Sequence, residues 1–260
     1  MTRSELTQEK VNTQSVSKIN WVSVGDQSSS TCIIFLHEGL GCIEMWKDYP
    51  ETLCNALNVR GIIYDRAGYG HSPGSLEGRT KEYLHDAANE LAQFIDHLNI
   101  DTPTLYGHSD GGSIALIYAG TYPDKVKALI TEAAHVFNEP ETIKGVLEAR
   151  PWFDEGKMEG LRKYHGDRYK EVFFAWNDIW IDESFKDWNI TDLLPNIICD
   201  QIIIQGEDDQ YGTLLQVETI KTLTKGSTTT LTPAKCGHAP FKEQREIVLK
   251  EAMKFLNDII

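Results

Sequence analysis

The feature that most constrains the fold is a glycine-flanked serine, Gly107-His108-Ser109-Asp110-Gly111, which lies between an apolar strand-like run and an apolar helix-like run. Glycines two positions before and two positions after a serine permit a turn too tight for side chains at those positions. Such a turn strains the serine backbone and presents its hydroxyl at the start of the following helix. Helix N-terminal amides favour negative charge on a nearby oxygen. The pattern therefore predicts a strand–turn–helix unit with Ser109 as a nucleophile.

A second serine stands between glycines, in Gly70-His71-Ser72-Pro73-Gly74. The proline after Ser72 has no N–H to donate to an oxyanion, and the glycine-rich stretch that follows starts no helix. Ser109 instead follows Thr104-Leu105-Tyr106 and precedes an almost wholly apolar helical stretch. The context therefore favours Ser109 over Ser72.

Around this unit, short apolar runs typical of buried strands alternate with stretches typical of helices. The alternation predicts an α/β fold, with a mostly parallel central sheet and helices on both faces. Residues 15–24 predict an early strand or hairpin arm, and the polar residues 1–14 are expected to be loosely ordered. Besides the unit around Ser109, the predicted strands are 31–36, 59–65, 126–133, 201–204 and 227–232, and the predicted helices are 46–57, 80–98, 213–224 and 241–257.

The alternation stops between residues 135 and 194, where four of the six tryptophans lie among many charges. This pattern predicts a helical lid insertion over the ends of the sheet, with residues 15–134 and 195–260 forming the core. Most of its aromatic side chains are expected to pack the insertion itself. Trp152 and Trp176 are predicted to contact a substrate.

The charge balance excludes some partners. With 25 basic and 39 acidic residues, a net charge of −14 argues against binding to nucleic acid or to an anionic membrane surface. The five cysteines are scattered and have no Cys-x-x-Cys spacing, which indicates reduced thiols in a cytoplasmic protein. The N-terminus carries no apolar signal core, and no apolar run is long enough to predict a membrane span. A small molecule is the expected partner.

A serine needs a base to remove its proton, and the base needs a third group to orient it. His238 is the favoured base because it lies between the last predicted strand and the last helix, at the same sheet edge as Ser109. Five other histidines are interpreted as packing, loop or solvent residues: His71, His85, His97, His108 and His165.

The acid is predicted in the turn that follows the Ile-rich strand 201–204. Asp209 is favoured over Asp208, and Glu207 is interpreted as a solvated turn carboxylate. Glu132, at the end of the preceding strand, remains an alternative because an acid there could also reach the histidine.

An oxyanion needs two backbone N–H donors aimed at one point. One is predicted to be that of Asp110, and the other that of Gly39 or Leu40, in the glycine-rich loop after the first central strand. Glu38 and Asp110 flank this site. Two carboxylates near one cleft would favour a substrate that carries an amine, unless both only bind the backbone.

Five motifs in this order resemble the α/β-hydrolase superfamily, from about residue 16 to the C-terminus. They are His37-Glu38-Gly39-Leu40-Gly41, Asp65-Arg66-Ala67-Gly68-Tyr69-Gly70-His71-Ser72, Gly107-His108-Ser109-Asp110-Gly111-Gly112, Gly206-Glu207-Asp208-Asp209 and Gly237-His238. Within the superfamily the chain looks most like small lid-bearing hydrolases, which include valacyclovir-hydrolase-like esterases, enol-lactonases and carbon–carbon bond hydrolases. It departs from them at Glu38, where the loop usually has glycine.

The resemblance implies a Ser109, Asp209, His238 triad that hydrolyses a small carboxylic ester, lactone or thioester through an acyl-enzyme, without cofactor or metal. Two alternatives stay open: a carbon–carbon bond hydrolase of the meta-cleavage type, and a non-catalytic ligand-binding protein on the same fold.

Overall fold

A seven-stranded sheet forms the centre of the computed structural model, which describes residues 16–260; the segment 1–14, expected to be loosely ordered, lies outside this range. The strands run in the order β1-β3-β2-β4-β5-β6-β7. Only the β1–β3 pair is antiparallel, so the prediction of a mostly parallel sheet is confirmed. The strands are β1 (Trp21–Gly25), β2 (Cys32–Leu36), β3 (Arg60–Tyr64), β4 (Thr104–His108), β5 (Ala128–Glu132), β6 (Asp200–Ile204) and β7 (Thr228–Leu231).

Helices cover both faces of this sheet. They are α1 (Tyr49–Leu57), α2 (Tyr83–His97), α3 (Asp110–Thr121), α4 (Pro140–Asp154), α5 (Arg162–His165), α6 (Tyr169–Ile181), α7 (Leu214–Leu223), α8 (Pro240–Glu243) and α9 (Arg245–Asn257). No helix among residues 16–260 combines the length and apolarity needed to cross a membrane.

Alternate residues of the central strand β2 point to opposite faces of the sheet, as the two-residue period of a strand requires. Ile33 and Phe35 pack in one apolar cluster with side chains of α1 and α9. Ile34 and Leu36 pack in the other, with side chains of α2, α3 and α7. A strand buried on both faces must be apolar throughout, which explains the continuous run that identified it.

Several predicted elements differ from the structure at their ends; the helix predicted for 46–57, for example, begins at Tyr49. The early strand is confined to β1, because a helical turn occupies residues 16–18. The helix predicted for 80–98 begins at Tyr83. The helix predicted for 241–257 is divided into α8 and α9, because Gln244, with φ −127° and ψ 43°, leaves the helical conformation.

Between β5 and β6, helices α4, α5 and α6 alternate with short 3₁₀ turns. The aromatic side chains of this inserted segment pack largely on one another: Phe153 stacks on Phe173 at 4.1 Å between ring centroids, and Phe185 stacks on Trp188 at 5.1 Å. A single β-bridge between Phe137 and Asn189 closes the base of this segment. The insertion is therefore continuous with the core that lies over α2 and α3.

Candidate active site

The turn between β4 and α3 holds Ser109 in a conformation that few non-glycine residues adopt, with φ +54° and ψ −119°. A side chain at Gly107 would overlap the backbone of Gly111, and one at Gly111 would overlap the backbone of Leu36. The Ser109 N–H donates a 2.8 Å hydrogen bond to the Glu132 carbonyl oxygen on β5. The two glycines thus permit the tight turn, and the neighbouring strand fixes it.

The three side chains predicted as a triad meet at the carboxyl edge of the sheet. The Nε2 atom of His238 lies 2.8 Å from the Ser109 Oγ, and its Nδ1 lies 2.9 Å from both carboxylate oxygens of Asp209. Because a carboxylate only accepts hydrogen bonds, Nδ1 carries the proton and Nε2 keeps its lone pair for the serine hydroxyl. This is the tautomer that a general base requires.

Asp209 is held by its own set of donors. Its Oδ2 accepts a 2.7 Å hydrogen bond from Gln205 Nε2, and its Oδ1 accepts one of 2.8 Å from the Tyr211 N–H. Asp208 and Glu207 are exposed. The structure therefore brings Asp209, and neither of its acidic neighbours, to the imidazole.

Glu132, the alternative acid, is fully buried and faces other partners. Its carboxylate accepts hydrogen bonds from the Tyr106 hydroxyl and from the Phe241 N–H, the latter at 2.8 Å. Burial raises its pKa to about 7, although these two donors oppose the shift. Within residues 16–260 it forms no hydrogen bond with His238, so it anchors the start of α8 rather than the imidazole.

The pKa values of the base and the acid move in opposite directions. Burial alone would lower the pKa of His238, but the Asp209 carboxylate, with smaller contributions from Glu38 and Asp110, raises it above its usual value. Burial would raise the pKa of Asp209, but His238, the Tyr211 N–H and His135 bring it below its usual value. Asp209 is thus ionised, and His238 becomes a stronger base.

The predicted oxyanion donors lie on two elements beside Ser109. Asp110 is the first residue of α3, and Gly39 and Leu40 lie in the loop after β2. Arg66 Nη2 and His37 Nδ1 both donate to the Glu38 carbonyl oxygen, at 2.8 and 2.7 Å. His165 Nε2, from the insertion, donates to the Leu40 carbonyl oxygen at 2.9 Å. These bonds fix the backbone of the loop, and the choice between Gly39 and Leu40 stays a prediction.

The pair of free carboxylates expected beside this site is reduced to one. Asp110 is fully buried, accepts a 3.2 Å hydrogen bond from the Tyr83 hydroxyl, and lies 3.5 Å from Arg66 Nη2. Its carboxylate is therefore paired within the protein and is not free to bind a substrate. Glu38 lines a small cavity with His108 and Lys242, and its carboxylate makes no hydrogen bond or ion pair within the described chain.

Of the two tryptophans predicted to contact a substrate, only Trp176 lies against the site. A side chain on Gly39 would overlap the Trp176 indole, which in turn meets the Tyr211 ring at 6.0 Å between centroids. Tyr211 packs edge-on against the His238 ring at 4.8 Å. Trp152 is 51% exposed on α4 and forms no ring contact with these residues, because its side of the helix faces away from the core.

The family model for the alpha/beta hydrolase fold matches residues 31–176, more than half of the chain. The chain belongs to the alpha/beta hydrolase family of enzymes. Serine hydrolase BPHL of Homo sapiens is 28% identical over 66% of this hydrolase, and the match spans 61% of that relative's length, less than two thirds.

Two solved structures are similar to this alpha/beta hydrolase in fold. The alpha/beta hydrolase enzyme MGS-M2, from a Medee basin deep-sea metagenome library, superimposes with a TM-score of 0.75 at 17% identity, covering 92% of this chain and 94% of that one. The enol-lactonase from Burkholderia xenovorans LB400 superimposes with a TM-score of 0.72 at 16% identity, covering 92% of this chain and 96% of that one. The fold class and family predicted from the motifs are thus confirmed.

Three residues support this site in the hydrolase in roles that the sequence did not indicate. His108, interpreted as a packing residue, donates from Nε2 to the His238 carbonyl oxygen at 2.6 Å and so holds the loop of the base. Burial lowers the pKa of His108 to about 4, which keeps its ring neutral. Gln205 is the first residue after the buried strand β6 and Arg66 is the second after β3, and that position was the available signal for both.

Proposed function

We propose that this alpha/beta hydrolase cleaves a small carboxylic ester through an acyl-enzyme, with Ser109 as nucleophile, His238 as base and Asp209 as the orienting acid. The observation that carries the proposal is the hydrogen-bonded chain Asp209–His238–Ser109, in which the imidazole has the tautomer that accepts a proton at Nε2. A lactone or thioester reacts through the same steps. The five unpaired cysteines support a cytoplasmic location.

In the proposed mechanism, Ser109 Oγ attacks the carbonyl carbon as its proton passes to His238 Nε2. The N–H groups of Asp110 and of Gly39 or Leu40 stabilise the oxyanion of the tetrahedral intermediate. Its collapse expels the alcohol, which takes the proton from Nε2. Water then repeats the sequence on the acyl-enzyme and releases the carboxylic acid.

Access to the nucleophile depends on the insertion. The Ser109 residue is only 7% exposed, and Trp176 on α6 covers the neighbouring loop. We therefore propose that α4, α5 and α6 act as a lid, which excludes water from the carbonyl during the first step.

The proposed nucleophile is tested with a fluorophosphonate probe and a panel of p-nitrophenyl, aminoacyl and lactone substrates. We expect the probe to label the wild type at Ser109, located by mass spectrometry, and to leave Ser109→Ala unlabelled. Ser30→Ala is the matched control, since Ser30 is an exposed serine. A wild type that neither reacts with the probe nor turns over any ester would instead identify a ligand-binding protein.

Glu38 supports a finer proposal, that the site prefers esters with a cationic group. Its unpaired carboxylate is close enough to His238 to raise the pKa of that imidazole. An anionic dienoate, the substrate of a meta-cleavage hydrolase, would be repelled there. We expect Glu38→Gln to reduce the ratio of kcat/KM between an aminoacyl ester and its uncharged analogue, and an unchanged ratio would contradict the proposal.

A further inference from the structure

His135 lies next to the triad, and the only contribution described for it above is to the pKa of Asp209. Its backbone N–H and carbonyl both form hydrogen bonds with Ser113 Oγ, at 3.0 and 2.7 Å. Ser113 is one turn along α3 from Ser109, and its own N–H donates to the Ser109 carbonyl oxygen. Two residues before His135, Ala133 has φ +50°, an unfavourable conformation for alanine. These bonds thus hold the backbone of His135 against the first turn of α3, which follows Ser109.

The ring of His135 presents one nitrogen without a partner. Its Nε2 lies 3.0 Å from the Tyr211 carbonyl oxygen, and because a carbonyl only accepts, Nε2 carries the proton. Nδ1 is therefore a bare acceptor. It is buried and has no hydrogen-bond partner within residues 16–260, although the whole residue is only 3% exposed. Buried polar atoms usually have a hydrogen-bond partner, so this nitrogen is free to accept a hydrogen bond from water or a ligand.

An unpaired donor lies on a ring that packs against His135. Trp180, on α6 of the insertion, packs on the His135 ring at 5.1 Å between centroids. Its indole is 2% exposed, and its Nε1–H has no partner within the described chain. The His135 ring is also only 6.0 Å from that of His238. A buried acceptor and a buried donor thus belong to two rings in contact, one of which also lies beside the His238 ring.

We propose that His135 and Trp180 form a subsite that binds a hydroxyl group on the acyl part of the substrate. A hydroxyl can donate to His135 Nδ1 and accept from Trp180 Nε1–H at once. An ammonium group cannot accept, a carbonyl cannot donate, and a methyl group can do neither. The reaction in which this subsite takes part is the ester hydrolysis proposed above.

The test compares esters that differ only by a hydroxyl or a methyl group. The p-nitrophenyl esters of 2-, 3- and 4-hydroxy acids are each paired with the methyl-branched ester of the same chain length. We expect at least one hydroxy ester to exceed its methyl isostere about 10-fold or more in kcat/KM, because the isostere leaves two buried groups unpaired. The position of that hydroxyl measures the distance of the subsite from the carbonyl.

Three variants test the assigned residues. His135→Leu and Trp180→Phe should each bring the hydroxy-to-methyl ratio close to 1, whereas His135→Gln, which still has a donor and an acceptor, should retain most of it. His97→Leu, at an exposed histidine on α2, is the control for the loss of an imidazole. If kcat/KM falls equally for the hydroxy and the methyl ester, the ratio is unchanged. That result would show a structural role and overturn the assignment. A wild-type ratio near 1 at every position would show that the subsite holds water only.

The subsite can be tested independently of the proposed reaction. Calorimetric binding of the methyl esters of the same acids to Ser109→Ala needs no catalysis. Tighter binding of the hydroxy ester, lost in Ser109→Ala/His135→Leu, would support the subsite even if the wild type hydrolysed no ester. Equal binding of both esters in the two backgrounds would overturn it, whatever the outcome of the kinetic assays.

Discussion

Asp209→Asn tests the hydrogen bonding around the proposed acid. Both carboxylate oxygens already accept from fixed donors, Oδ1 from the Tyr211 N–H and Oδ2 from Gln205 Nε2. An asparagine has one oxygen only, so in either orientation its NH₂ group faces a donor. The same NH₂ group lies within reach of His238 Nδ1, because both carboxylate oxygens are 2.9 Å from that atom.

The expected losses follow from this geometry. If His238 Nδ1 accepts from the amide, the ring proton moves to Nε2, which can then no longer take the proton of Ser109. A tautomer of this kind lowers kcat by about 10⁴-fold. The unpaired buried donor lowers the free energy of unfolding by about 1–3 kcal/mol. In a chain of this size, the melting temperature falls by about 2–4 °C for each kcal/mol.

Hydrolysis of p-nitrophenyl acetate measures the loss of kcat, and a thermal melt measures the loss of stability. Asp208→Asn is the matched control, since Asp208 is exposed, and its kcat should stay within about 2-fold of the wild type. The reasoning is refuted if Asp208→Asn is the inactive variant, or if Asp209→Asn retains more than a tenth of the wild-type kcat.

Three further predictions concern the surroundings of the triad. Arg66→Met should lower the free energy of unfolding by about 3–5 kcal/mol in urea denaturation, because it leaves the buried Asp110 carboxylate unpaired. Since His238 must be neutral to act and its pKa is raised, ester hydrolysis should fall with decreasing pH through an apparent pKa above the usual value of about 6.5. Gly39→Ala should lower kcat by about 10²-fold and alter tryptophan fluorescence, because its methyl group displaces the indole of the insertion or the oxyanion loop.

Each of these predictions has a control or a contradicting result. Arg162 forms an exposed ion pair, so Arg162→Met should lower the free energy of unfolding by less than about 1 kcal/mol. Gly160→Ala should leave kcat and fluorescence unchanged, because nothing lies within 4 Å of its added methyl group. A pH profile whose acid limb lies below pH 6 would contradict the raised pKa of His238.

Much of the fold and part of the site were predictable because they depend on local sequence. The run Cys32–Leu36 is apolar at every position, since a central parallel strand is buried on both faces. Gly107 and Gly111 identify the turn, because no other residue fits so close to the backbone. Parallel strands end at one edge of the sheet, so turns after β4, β6 and β7 had to meet there, whatever the details of packing.

Only the tertiary structure decided which polar groups pair with one another. His108 holds the carbonyl of His238 across 130 residues of sequence. Arg66 pairs with the Asp110 carboxylate, for which the sequence left open whether it faces a substrate or binds the backbone. Trp152 and Trp176 look alike in sequence, yet one is half exposed and the other covers Gly39. Periodicity specifies which face of an element is buried, but hydrogen bonds and ion pairs depend on distances of a few ångströms between elements, which no local pattern contains.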